Sequence, residues 1–560
     1  MAIGQDLSYT FRKLTFTALW VFSLTCFSQD VVPAPDDLLK AAQAAYDSKK
    51  YAESAALYKR ALPFVIELDR GGTEYNLACS LALAGDHDEA FDILGSAVED
   101  GYTDRKGAET DRDLVSLHPD PRWQTVLSAM SELKSQQDRR WGDSAFDTPR
   151  AANLSNEDKV AGLSELWAQA KFGFANFWHV PQLNWDQAYR RFIPEVLATK
   201  STEEYYRVLE RFYALLQDGH SNVYSPGEVD GKFGRLDLRT RLIDSRLLLI
   251  GSRSPTADMQ GLRPGDEILT INGRPAVAWA AHNVEPFVSS SSPQDRETRT
   301  FEYVPFLAPL GTRFTLETED PVGRRETHTF VVAQGTAGGK PSFEFRMLPG
   351  DVAYVALNSF EDDTPAKEWD KHWPDIQKAE SLVLDLRENG GGSDSVGSHI
   401  LGSLITKDSP GELSRSTKWI ASYRAWGAAQ TPLRFPVNMI NPDPARHFAG
   451  PVALLISPRT FSAGEDMVVT FVQAHRGSLV GEATGGSSGQ PLMFKLPGGG
   501  MARICTKHDS FADGREFVGV GVMPDVPVHI TRSDIVAGRD RVLESALNLL
   551  HTTLRGSSGR

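Results

Sequence analysis

Apolar and polar positions change their spacing four times along the 560 residues. From about 36 to 135 the apolar residues recur at helical intervals, and "KKYAESAALYKRAL" (Lys49 to Leu62) returns in pattern as "GDHDEAFDILGSAV" (Gly85 to Val98). A polar stretch at 136–158 then predicts a linker. Residues 159–235 return to helical, aromatic-rich spacing and end in the loop Asp218-Gly219-His220-Ser221. Between 236 and 335 the pattern alternates as strands do. "RTRLIDSRLLLIGS" reads as two strands and a turn, and "GLRPGDEILTINGRPA" (Gly261 to Ala276) sets Gly-Asp and Asn-Gly turns around another. From 340 to 550 short apolar strands ("DVAYVALNSF", "SLVLDLREN", "PVALLISP", "RGSLVGEA") alternate with helix-like stretches, which predicts an α/β core.

The first repeat segment has the character of tetratricopeptide helix pairs. Its offset of 36 is close to that family's period of about 34, and such a module would dock a partner or peptide. The Gly261–Ala276 run resembles a PDZ domain, which takes an extended peptide at a sheet edge. At the N-terminus, Arg12 and Lys13 precede an apolar run from Leu14 to Phe27 that is short for a membrane span. This predicts a signal peptide over 1–28 and export to a periplasmic, extracellular or envelope-associated site. Cys26 raises a lipoprotein alternative, although Ser23, Leu24 and Thr25 fit a lipidation site poorly.

Composition adds exclusions. The formal charge is −14 without a basic block, which argues against nucleic acid as a partner. Three cysteines, no HExxH and no paired CxxC leave no disulfide framework, metal set or cofactor motif.

The chemistry centres on "LLISPRTFSAGEDMVVTF" (Leu454 to Phe471). A buried strand enters a tight turn, and a helix starts near Ser462. A serine there is either a helix cap, with Glu465 completing a capping box, or a nucleophile beside unpaired N–H groups. "LVLDLRENGGGSD" ends a strand in Gly390, Gly391 and Gly392, a run that aims backbone N–H groups at a ligand, and Asp385 is placed to pair with Arg387 at the strand end. His220 is the candidate base.

Together these stretches resemble the tail-specific, or C-terminal processing, serine peptidases on their tricorn-core-like branch. "DLRENGGG", "TFSAGE" and "GVGVMPDVPV" match that family's loop, nucleophile turn and closing strand, and the PDZ-like segment sits in the family's order over roughly 155–535. The resemblance implies a Clp-protease/crotonase-like α/β core, Ser462 as nucleophile, and backbone oxyanion donors at Gly391 and Ala463. One branch places a lysine base where "GEATGGSSG" holds Ser487, so the histidine branch is implied, with His220 as base. Two departures stand out: Gly219 replaces a serine before the histidine, and Val518 occupies a glutamate position. Glu516, two residues earlier, is the expected third member, with Glu465 as the alternative. The expected function is an exported serine endopeptidase acting on peptides or proteins. The rivals are a peptide-binding scaffold with a decayed core and a hydrolase of esters or small amides.

Overall fold

The computed structural model describes residues 35–253, 258–334 and 340–557; the expected signal segment lies outside them. The chain divides into two compact units at Gly142/Asp143.

The first unit is helical. Helices Pro35–Asp47, Tyr51–Ala61, Glu67–Ala84 and His87–Glu99 form consecutive hairpins. Small buried residues at their contacts, Ala42, Ala55, Ala78 and Ala90, let the backbones approach closely. The last long helix, Pro121–Trp141, runs through the first part of the expected linker. The i,i+4 ion pair Lys134–Asp138 supports that extension, and Gly142 ends it. The rest of the expected linker is tied down within the second unit: Asp143 accepts from the Lys495 N–H at 2.6 Å, and Leu154 is buried.

The second unit is built on a six-stranded sheet in the order Phe343–Leu348, Val352–Leu357, Ser381–Asp385, Val452–Ile456, Ser478–Gly481, Val526–Pro527. The first pair is antiparallel and the others are parallel. Val352–Leu357, Ser381–Asp385 and Val452–Ile456 are buried at every position, as strands covered on both faces must be. Helices Thr364–Ile376, Asp394–Gly402 and Ala463–Gln473 cover one face and Arg541–Ser557 the other. Arg387 pairs with Asp385 at 2.6 Å and Asp540 at 2.8 Å, fixing the strand end before the glycine loop.

Three helices, Asn156–Gly173, Trp185–Ala198 and Thr202–Ala214, form a second core with an antiparallel sheet of Asn222–Tyr224, Gly500–Cys505 and Pro491–Leu496. That sheet joins the histidine loop to the α/β core. A third core lies in the sheet spanning Leu238–Val331. Its tight turns, Asp244-Ser245 and Asn272-Gly273, have positive φ at both central residues, the conformation a two-residue hairpin needs.

Candidate active site

Two loops leave the carboxyl ends of parallel strands, where α/β sheets open a crevice. One is the glycine loop after Ser381–Asp385; the other is the turn after Val452–Ile456 that leads to Ser462. They flank a cavity of about 1150 Å³ lined by Ser462, His220, Gly390 and Gly392 among others.

Ser462 is not a helix cap. Its side chain makes no cap hydrogen bond, and its φ of 56° and ψ of −132° are strained for a residue with a Cβ. Nor does Glu465 complete a capping box: its carboxylate turns to the 484–487 loop, accepting from Thr484 Oγ1, the Gly486 N–H and the Ser487 N–H. Ser462 Oγ instead lies 3.1 Å from His220 Nε2. The imidazole is 3% exposed and stacks on Phe461 with ring centroids 4.8 Å apart. With Nε2 accepting from the Ser462 hydroxyl, Nδ1 carries the ring proton and donates to Ser487 Oγ at 2.9 Å. Burial, then the charges of Arg503, Arg299 and Lys507, hold the His220 pKa well below its usual 6.5, so the ring is a neutral base at pH 7.

The histidine loop is held from several sides. Asp218 Oδ1 accepts from the His220 N–H and from Ser221 Oγ, both at 2.9 Å. The four-serine run Ser289–Ser292 clamps it further. Ser289 Oγ accepts from the Asp218 N–H, Ser291 Oγ accepts from the Gly219 N–H, and Ser292 Oγ donates to Gly485 O across the site. Glycine at 219 has a steric reason: a Cβ would lie 2.8 Å from Phe461 Cζ and 2.9 Å from Ser487 Oγ. A serine there would collide with the groups that position the imidazole.

Glu516 does not reach His220. Its carboxylate accepts from His508 Nε2 at 2.7 Å and pairs with Arg415 at 3.2 Å. Among the described residues it connects to the histidine loop through His508, Asn176 and Asp218. Glu465 is a neighbour once removed, since it fixes the backbone that carries the Ser487 hydroxyl. Burial raises its carboxyl to about 7. The group facing Nδ1 is therefore a neutral hydroxyl, at the position already singled out for lacking the lysine.

The two expected oxyanion donors differ in state. Among the described residues the Ala463 N–H makes no hydrogen bond and opens beside Ser462. The Gly391 N–H donates to Asn389 Oδ1 at 2.8 Å. Gly391 has φ +96°, and a Cβ there would lie 2.6 Å from Ser462 Cβ, so only glycine brings this loop so close to the serine. The sequence singles out Ser487 only for lacking a lysine; its contact with His220, the stacking of Phe461 and the clamp of Ser289–Ser292 on the histidine loop all cross long stretches of chain.

Residues 351–528, which hold the glycine loop, Ser462, Glu465 and Ser487, match the family model for peptidase family S41. The chain is a serine-type peptidase. It is 23% identical over 428 residues to the carboxyl-terminal-processing protease of Synechocystis sp., covering 72% of the peptidase and 89% of that relative. It is 25% identical over 277 residues to the chloroplastic C-terminal processing peptidase of Tetradesmus obliquus, covering 48% of the peptidase and 54% of that relative. Among solved structures, mature CPAF complexed with lactacystin superposes with a TM-score of 0.59 at 15% identity, over 71% of the peptidase and 98% of that chain; this likeness is one of fold. His220 lies outside the matched S41 segment and is brought to it by the pairing of Asn222–Tyr224 with Gly500–Cys505.

Proposed function

We propose that the peptidase is an exported endopeptidase working through a Ser462 acyl-enzyme with His220 as general base. The observation that carries this reading is the 3.1 Å contact between His220 Nε2 and the Oγ of a serine in strained backbone conformation. Ser462 Oγ attacks the peptide carbonyl carbon while its proton passes to Nε2. The carbonyl oxygen becomes an oxyanion facing the Ala463 N–H; Gly391 adds the second donor when substrate draws its N–H from Asn389. The tetrahedral intermediate collapses as Nε2 returns the proton to the leaving amine and the C–N bond breaks. Water, activated by the same nitrogen, then attacks the ester and frees Ser462. Ser487 holds the Nδ1 proton and keeps the ring in the required tautomer. It brings no negative charge to the imidazolium, which marks the site as a modest catalyst.

In the same reading, the sheet spanning Leu238–Val331 serves as a PDZ-like module for an extended peptide. The N-terminal hairpins serve as tetratricopeptide-like repeats for a protein partner. Among the described residues no helix is long and apolar enough to cross a membrane. The expected export signal assigns the mature chain to the periplasm, the cell envelope or the outside.

The test is labelling by a fluorophosphonate probe. We expect label on the wild type and none on Ser462→Ala or His220→Ala. Label that survives Ser462→Ala would remove the nucleophile assignment.

A further inference from the structure

Most arginines around the cavity are neutralised. Arg299 pairs with Asp295, Arg207 with Glu210, and Arg459 with Glu388 and Glu302. Glu388 and Glu302 are also shared with Arg239 and Arg241, and Arg241 takes Glu482 as well. Every carboxylate of that cluster is thus committed.

Among the described residues two cavity arginines have no carboxylate in an ion pair: Arg503 donates to Asn222 Oδ1 and Gly219 O, which leaves Arg235. It sits at the end of the short strand Phe233–Arg235, which pairs with Leu307–Pro309, and it lines the same cavity as Ser462. Among the described residues its guanidinium makes no ion pair and no hydrogen bond. The acid that bears on it electrostatically, Glu228, gives its Oε2 to the Ser225 N–H and hydroxyl. Arg253 lies near enough to feel the Arg235 charge, and among the described residues its side chain donates to a neutral acceptor, Glu302 O, at 2.7 Å. Among the described residues neither guanidinium has a carboxylate in an ion pair. Burial pushes both away from the charged form, Arg253 down to about 10. A half-buried arginine that costs desolvation and gains no partner is arranged for a partner that arrives.

We propose that Arg235 is a carboxylate-binding subsite of the substrate cavity, making the peptidase selective for peptides that place a carboxylate beside Tyr303 and Arg235 while the scissile bond lies at Ser462. It rests on the reading of this cavity as the peptide site. The guanidinium fork suits a bidentate carboxylate, and the cavity walls exclude enough water to make that pair discriminating. The carboxylate belongs either to an aspartate or glutamate side chain or to a free C-terminus.

The experiment measures binding in the Ser462→Ala protein, so that hydrolysis plays no part. Three fluorescein-labelled alanine–serine decapeptides are used: one with a central glutamate and an amidated end, its glutamine counterpart amidated, and that glutamine peptide with a free carboxylate. We expect at least one carboxylate peptide to bind about tenfold or more tighter than the glutamine amide. Which one does so identifies the source. Arg235→Gln should erase the difference and Arg235→Lys should keep part of it, with unchanged melting temperature in both. Equal affinity for all three peptides, no binding by any, or a preference that survives Arg235→Gln would overturn the subsite. Fluorophosphonate labelling of Ser462 in the otherwise wild-type Arg235→Gln protein reports separately on the peptidase reading: label retained there while the binding preference is absent fails the subsite alone.

Discussion

Replacing Ser487 with alanine isolates one hydroxyl. The backbone of residue 487 does two other jobs: its N–H donates to Glu465 Oε2 at 2.8 Å, and its carbonyl accepts from the Ser462 N–H at 3.0 Å. Alanine keeps both, so the loop and the serine stay in place. What disappears is the acceptor for His220 Nδ1. In a ring 3% exposed, an Nδ1–H without a partner costs about 1–3 kcal/mol. The transition state bears the larger loss, because the ring is then an imidazolium and a hydrogen bond to a charged group is worth about 1.5–3 kcal/mol. If the proton moves to Nε2 instead, the base is blocked in that fraction of molecules. Either route lowers kcat/KM by roughly 10- to 100-fold. The assay is hydrolysis of a quenched fluorescent peptide, with the fluorophosphonate labelling rate as a substrate-independent check and thermal melting to confirm the fold. A change below about twofold in a protein that melts normally would refute the assignment of Ser487 as the group that orients His220, since among the described residues Nδ1 has no other hydrogen-bond acceptor.

Three further outcomes are expected. Gly391→Ala places a Cβ 2.6 Å from Ser462 Cβ at φ +96°, so about 1–2 kcal/mol of backbone strain adds to a displaced nucleophile; fluorophosphonate labelling should fall about 100-fold or more. Because His220 titrates well below 6.5, the acid limb of the kcat/KM profile should have its midpoint below pH 6.5, and Arg503→Gln should move it upward by removing a repelling charge; a midpoint above 6.5 in the wild type would contradict the burial argument. Glu465→Gln faces three donors with only one acceptor oxygen and should destabilise the fold by about 1–3 kcal/mol. The Glu465 carboxyl is raised from 4.5 to about 7, so its contribution is full below pH 4.5 and is lost as pH rises through 7. The variant's deficit, followed by melting temperature, should therefore narrow over that interval.

The parts of the site readable from sequence are those coded by local spacing. The glycine loop and the serine turn each follow a buried strand, and both lie at the cavity. The cap-or-nucleophile question at Ser462 was not decidable locally, because Ser-Ala-Gly-Glu suits a capping box. The structure decides the geometry by a positive φ and by turning Glu465 toward Thr484. The third group is hidden for a related reason. Glu516 lies two residues before Val518 on the same expected strand face, and His508, buried on that side, takes its carboxylate. Ser487 offered one signal, since it stands where another branch keeps a lysine, but a hydroxyl 267 residues from the histidine carries no local signature. Arg235 is invisible for the opposite reason: its meaning is a missing partner, which only three dimensions show.

His220 and Ser462 stand 242 residues apart, and their chain neighbours lie in different hydrophobic cores, Leu216 and Val223 in one and Ala463 in the other. Neither core contains a complete pair, and the link between them is the short sheet closed by Gly500–Cys505, near the end of the chain. During synthesis the histidine half emerges long before the serine half, and the 3.1 Å contact between His220 and Ser462 forms only once that late strand docks. Under the proposed Ser462/His220 pairing, a growing or partly unfolded chain is thus unarmed, and proteolytic competence is a property of the finished tertiary structure.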